Sequence, residues 1–107
     1  MISVAEARKL AMAFPETVEM PHFEKTSFRS GKKKKIFMTM NVKAQTAVLN
    51  LSPEDQSVFS LDEAISPVPN KWGLQGWTMV NLKKVKKALF KDALNQAYLR
   101  ISKPLKP

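Results

Sequence analysis

Apolar residues in this chain keep one period at its two ends and another in its middle, and no feature constrains the fold more. Near the N-terminus Val4, Ala7, Leu10, Ala11 and Phe14 recur at helical spacing. Ser3 stands just before them with Glu6 three residues later, the pattern of a capping box, so the spacing predicts a helix over 3–13 that Pro15 stops. From Lys25 onward the period falls to two: Ile36, Met38 and Met40 alternate with Phe37 and Thr39, and Ala47, Leu49 and Leu51 with Val48 and Asn50. Turn residues at Ser30-Gly31-Lys32 and from Asn41 to Gln45 divide this stretch into three strands of an antiparallel meander, the first running 26–29 and the second 35–40.

The second half alternates again between the two kinds of element. Ser52-Pro53-Glu54-Asp55 supplies an N-cap, a proline at the first helical position and acids in the first turn, so a short helix follows and ends near Leu61. Residues 66–70 hold two prolines and read as extended or looped chain, after which 76–82 alternates as a last strand. Over 83–102, Val85, Leu89, Ala93, Ala97 and Ile101, with Phe90 and Leu94 beside them, recur along one face of a long amphipathic helix. The tail 103–107 is expected to be poorly ordered. The order α-β-β-β-α-β-α, with helices at both ends of an antiparallel sheet, makes the fold class α+β, a two-layer sandwich.

A chain of 107 residues suits one domain over 1–107, expected as a monomer. It contains no Cys, which removes disulfides, thiolate nucleophiles, zinc fingers and iron–sulfur clusters together. Arg8 and Lys9 interrupt the one apolar stretch near the start, and no run reaches the roughly 18 apolar residues of a spanning helix. A cytoplasmic protein without membrane insertion is therefore expected.

Charge is the outlier, 18 Lys and Arg against 9 Asp and Glu for a net +9, and it is segregated. Residues 25–51 contain no acid, while 52–66 contain Glu54, Asp55, Asp62 and Glu63 and no base. A fold that presents the basic segments together attracts nucleic acid, anionic lipid or an acidic protein.

Taken in order, several short segments resemble the MmcQ/YjbR family of small bacterial proteins: Ala13-Phe14-Pro15-Glu16 at the end of the first helix, Pro21-His22-Phe23 leading to Ser27-Phe28-Arg29, a basic hairpin, Trp72-Gly73-Leu74-Gln75-Gly76-Trp77-Thr78, and Ala97-Tyr98 in the closing helix. The resemblance spans nearly the whole chain. It implies a CyaY-like fold, the fold of frataxin and its bacterial counterpart, also described as a double wing like that of some DNA-binding domains. It thereby points to DNA ahead of RNA. The run Lys32 to Lys35 is more basic than the family's hairpin, and the first helix lacks the acidic ridge that frataxin-like iron binding needs, so that function does not carry over.

The strongest candidate site is Lys32, Lys33, Lys34 and Lys35 at a hairpin tip with Arg29 leading into it, since cations on a projecting wing track a phosphate backbone at little desolvation cost. The same lysines also suit a solvated turn that keeps an edge hairpin from aggregating. Lys84, Lys87 and Lys91 recur along the outer face of the last helix as a second patch, where a solvated helix face is the plainer reading. Lys71 and Trp72 join the nucleic-acid-binding candidates because an aromatic ring among lysines stacks on unpaired bases, with Trp72 left open between site and core and Trp77 assigned to the core. His22, the one histidine, stands near Glu19 and Glu24 and marks a possible pocket with Phe28 and Trp77. That set falls short of a metal site, and the chain shows no nucleophile elbow, Walker loop or dinucleotide glycine pattern. The expectation is a sequence-independent nucleic-acid-binding accessory domain without cofactor or catalysis. The alternatives are a module for an acidic protein partner and a small-molecule or enzymatic pocket around His22.

Overall fold

The structure, a computed structural model, describes residues 1–102; the tail 103–107 lies outside the described residues. Helix α1 (Val4–Met12) begins where its capping box closes: Ser3 Oγ accepts the Glu6 N–H at 3.0 Å, and the Glu6 carboxylate accepts the Ser3 N–H at 3.4 Å. Four strands follow as successive hairpins, β1 (Thr17–His22), β2 (Lys25–Ser30), β3 (Lys35–Asn41) and β4 (Thr46–Asn50). Then come α2 (Pro53–Phe59), β5 (Ile65–Pro67), α3 (Lys71–Leu74), β6 (Trp77–Asn81) and α4 (Lys87–Ser102). The strands make one six-stranded antiparallel sheet in the order β1-β2-β3-β4-β6-β5.

The α+β sandwich holds, and the sheet gains two strands that periodicity does not announce. Both are edges. β1 carries Pro21 and no clean alternation, which an edge strand tolerates because one row of its N–H groups faces solvent. β5 is three residues long and ends in Pro67.

One face of the sheet holds the core. Phe28, Met38, Met40, Leu49 and Val80 point toward α1 and α4 and meet Phe90, Ala93, Leu94 and Ala97, each at most 1% exposed. Strand β3 has a bulge that serves this packing. Phe28 pairs with Met38 but its neighbour Arg29 pairs with Ile36, so Phe37 is the extra residue, and Phe37 and Met38 both lie buried. Phe37 then meets edge-on a stacked pair, Phe14 and Tyr98, whose centroids are 4.3 Å apart, tying the end of α1 to α4 through the sheet.

The last helix starts later than its periodicity predicts. Asn81 holds the chain in a turn, its side-chain oxygen accepting the Lys83 N–H at 3.0 Å and its carbonyl those of Lys84 and Val85. Such local bonds compete with helical ones, so α4 begins at Lys87 and Lys83 and Lys84 lie before it. Within α4 the buried stripe centres on Phe90 and Leu94, with Leu89 half-buried at its margin.

Candidate functional site

Residues that alternate with the core positions face away from the helices. Ser27, Thr39, Val48, Met79 and Ser66 are cross-strand partners in a single row over five of the six strands. Thr39, Val48 and Met79 form the floor of a groove of about 520 Å³, within the range of roughly 300–1,000 Å³ typical of ligand sites. His22 and Lys25, at the β1–β2 hairpin, line one side; Val68, Pro69, Asn70 and Trp72 line another, with Ile36 and Trp77 near the end that leads to the lysine hairpin. A second hollow of about 250 Å³ shares Lys25, Thr39, Val48 and Met79 and continues the track to Ala44 and Thr46. No acid lines either hollow.

The wall that carries the two tryptophans is held rigidly. Asn70 Oδ1 accepts the Trp72 N–H at 2.9 Å and so caps the single turn of α3. Gln56, buried on α2, donates through Nε2 to the Gly73 carbonyl at 2.9 Å, the Trp77 carbonyl at 3.1 Å and the Thr78 hydroxyl at 3.1 Å. At Gly73 a Cβ would stand 2.2 Å from the Val68 carbonyl oxygen, and at Gly76, whose φ is +109°, 1.8 Å from that of Leu51. Only glycine lets the backbone pass so close at both ends of the segment, and the backbone positions of Trp72 and Trp77 follow from it.

The fold distributes the expected site residues over two faces. Arg29 lies on the groove face, its Nε donating to Ser27 Oγ at 3.0 Å. Two residues on, β2 passes into the Gly31–Lys34 turn, so Lys32 to Lys35 project exposed from the end of the sheet where Ile36 and Trp77 sit. Lys71 and Trp72 are exposed on the groove's flank, Trp72 at 51%. Lys87 and Lys91 lie on α4, on the other side of the sheet, and Lys84 in the turn before it; they do not join the wing in one surface.

Three expectations are corrected. Phe28 is fully buried on the helix side and lines no part of the groove, because it has the opposite parity to Ser27. Trp77 shares a face with Met79, as its spacing predicts, but that face is the groove's, and the core positions of β6 are Thr78 and Val80. Glu19 does not join His22. Three residues apart on a strand, they face opposite ways, and Glu19 accepts from Arg8 Nε at 3.0 Å and from Thr26 Oγ1 at 2.8 Å. Lys25 and Lys43 were not among the candidates. Lys25 follows from hairpin parity with Ser27 and Arg29, and Lys43 occupies the β3–β4 turn near the second hollow.

The ion pairs lie off the groove face. Among the described residues the ion pairs are Arg8 with Glu19 at 3.0 Å and Lys87 with Glu6 at 3.1 Å, both made by helices of the core side. The Lys87 ammonium, with the Ser3 N–H, holds the Glu6 carboxyl below the usual carboxylate range. Lys25, Arg29, Lys43, Lys71 and the wing lysines have no acid partner among the described residues. No described helix is long and apolar enough to cross a membrane.

Comparison with known proteins agrees on the fold. A family model described as YjbR matches residues 12–100. The crystal structure of Deinococcus radiodurans protein DR2400, which carries a DUF419 domain, superimposes with a TM-score of 0.81 at 23% identity, covering 96% of this chain and 80% of that one. No curated protein matches the chain.

Proposed function

The chain belongs to the YjbR family, and from that premise we propose that it is a cytoplasmic nucleic-acid-binding accessory protein that holds a polyanion on the groove face of its sheet and catalyses nothing. One observation carries the reading. The two hollows of the groove face are lined by no acid, and Lys25, Arg29, Lys43, Lys71 and, beyond its end, Lys32 to Lys35 lie in or beside them without an acid partner among the described residues. Unpaired cations on a shallow, exposed surface cost little desolvation and release condensed counterions when phosphates replace them. Lysine rather than arginine dominates, which favours contact with phosphate as a point charge over bidentate reading of base edges, so the binding is largely sequence-independent.

Fluorescence-anisotropy titration of labelled single- and double-stranded DNA and RNA at about 50 and 200 mM salt tests the reading, because a protein that neutralises several phosphates weakens roughly 10³-fold or more over that interval. Binding that collapses with salt is expected. Absence of binding at the lower salt contradicts it and turns the search toward an acidic protein or a small ligand in the groove.

A further inference from the structure

We infer that the groove takes one unpaired nucleobase of a single strand, stacked on Trp72 within reach of Trp77 and His22, with the flanking phosphates on Lys25 and Arg29. This rests on the nucleic-acid reading and adds to it a selection for single strands over duplex.

Three observations point to a planar, anionic occupant. The first is the aromatic surface left unused. Phe14, Phe37 and Tyr98 satisfy one another on the helix side, whereas among the described residues neither tryptophan belongs to an aromatic pair, and both line the groove. The second is the rigidity of that wall. Gln56, Gly73 and Gly76 fix the backbone that carries Trp72 and Trp77, so presenting the rings costs little ordering on binding. The third is Phe23, next to His22 in the two-residue β1–β2 turn. It is 95% exposed, holds φ at +59°, and meets the His22 ring at 5.0 Å. Positive φ is what the tight turns of this chain impose, Glu16, Lys34 and Gln45 sharing it, but Phe23 alone among the four sets a large aromatic ring there and leaves it in solvent. The groove thus has aromatic side chains on two sides, His22 on one and Trp72 on the other, with cations beside it, the combination that stacks bases and tracks their backbone. Bases paired inside a duplex offer only their edges and cannot enter.

The test compares the wild type with Trp72→Ala, Trp72→Phe and Phe23→Gly. Each is titrated with a labelled single strand, its duplex, the same strand carrying abasic sites, and free adenosine monophosphate read by tryptophan fluorescence. Trp72→Ala is expected to weaken single-strand binding roughly 5- to 150-fold, the range one base stacked on one ring represents, and to leave duplex binding unchanged. Trp72→Phe restores most of the loss. Phe23→Gly, which relieves the positive φ, is expected to melt no lower than the wild type while binding the single strand more weakly. That pair of results separates a presented ring from a structural one.

An abasic strand bound as tightly as its parent, or a Trp72→Ala affinity equal to the wild type's, overturns the base pocket while salt-sensitive phosphate binding stands. Adenosine monophosphate bound as tightly as the strand overturns the strand as occupant in favour of a small nucleotide. If no nucleic acid binds the wild type at low salt, both readings fall together.

Discussion

Gln56 and Thr78 meet across 22 residues of chain, the amide Nε2 donating to the threonine hydroxyl at 3.1 Å in a site closed to solvent, and the hydroxyl donating in turn to the Gly76 carbonyl at 2.7 Å. With the bond from Gln56 to the Gly73 carbonyl, this short network pins the segment between the two tryptophans from beneath. Replacing Gln56 by Leu keeps the volume but removes the amide that ties α2 to the Gly73 and Trp77 carbonyls and the Thr78 hydroxyl, each carbonyl keeping only its backbone donor, Gly76 N–H and Val68 N–H. The expected loss is about 1–3 kcal/mol of stability, measured by urea denaturation, together with weaker nucleic-acid binding as the Trp72 wall loosens.

The glycines allow a sharper comparison. Gly31 and Gly76 both sit at positive φ, but a Cβ at Gly31 meets nothing within 4 Å whereas one at Gly76 lands on the Leu51 carbonyl. Gly31→Ala should cost about 1–2 kcal/mol, the backbone penalty alone. Gly76→Ala adds a backbone clash that cannot relax through a side chain and is expected to exceed about 4 kcal/mol. Thermal melts of the two variants check the ordering.

Core positions in α4 differ in the same way. Leu94 is 1% exposed between the sheet and its own helix, and Leu89 packs only at the edge. Leu94→Ala should destabilise by about 2–5 kcal/mol and Leu89→Ala by less than about 2 kcal/mol, read as the shift in denaturant midpoint at constant slope.

Much of this architecture is legible in the sequence because its cues are local. The capping box at Ser3 and Glu6, the N-cap of α2 at Ser52 and the Gly31 turn each fall where their residues place them. What the chain conceals depends on neighbours distant in sequence. β1 becomes a strand only because β2 offers it a partner, and β5 only because β6 does. Trp77 illustrates the limit for the site. Alternation puts it on one face with Met79, but both faces of β6 are largely apolar, and deciding which is core requires knowing where α4 packs. The wing lysines needed no fold to be noticed, whereas their alignment with Arg29, Lys25 and Trp72 needed the sheet.

The two lysine clusters should behave differently under salt. Replacing Lys32, Lys33 and Lys34 by Gln is expected to lower the slope of log K against log salt by about one unit for each phosphate that is no longer neutralised. Lys87→Gln with Lys91→Gln, on the helix side, should leave the slope unchanged. Equal effects from the two sets contradict a one-sided interface.

The most direct measurement is the backbone amide spectrum of isotopically labelled protein during titration with a short single-stranded oligonucleotide. Shifts should concentrate at residues 22–36 and 68–79, on the groove face and its lysine hairpin, with α1 and the outer side of α4 silent. Shifts confined to α1 and α4, with Lys25, Thr39, Trp72 and Trp77 unmoved, would contradict the account.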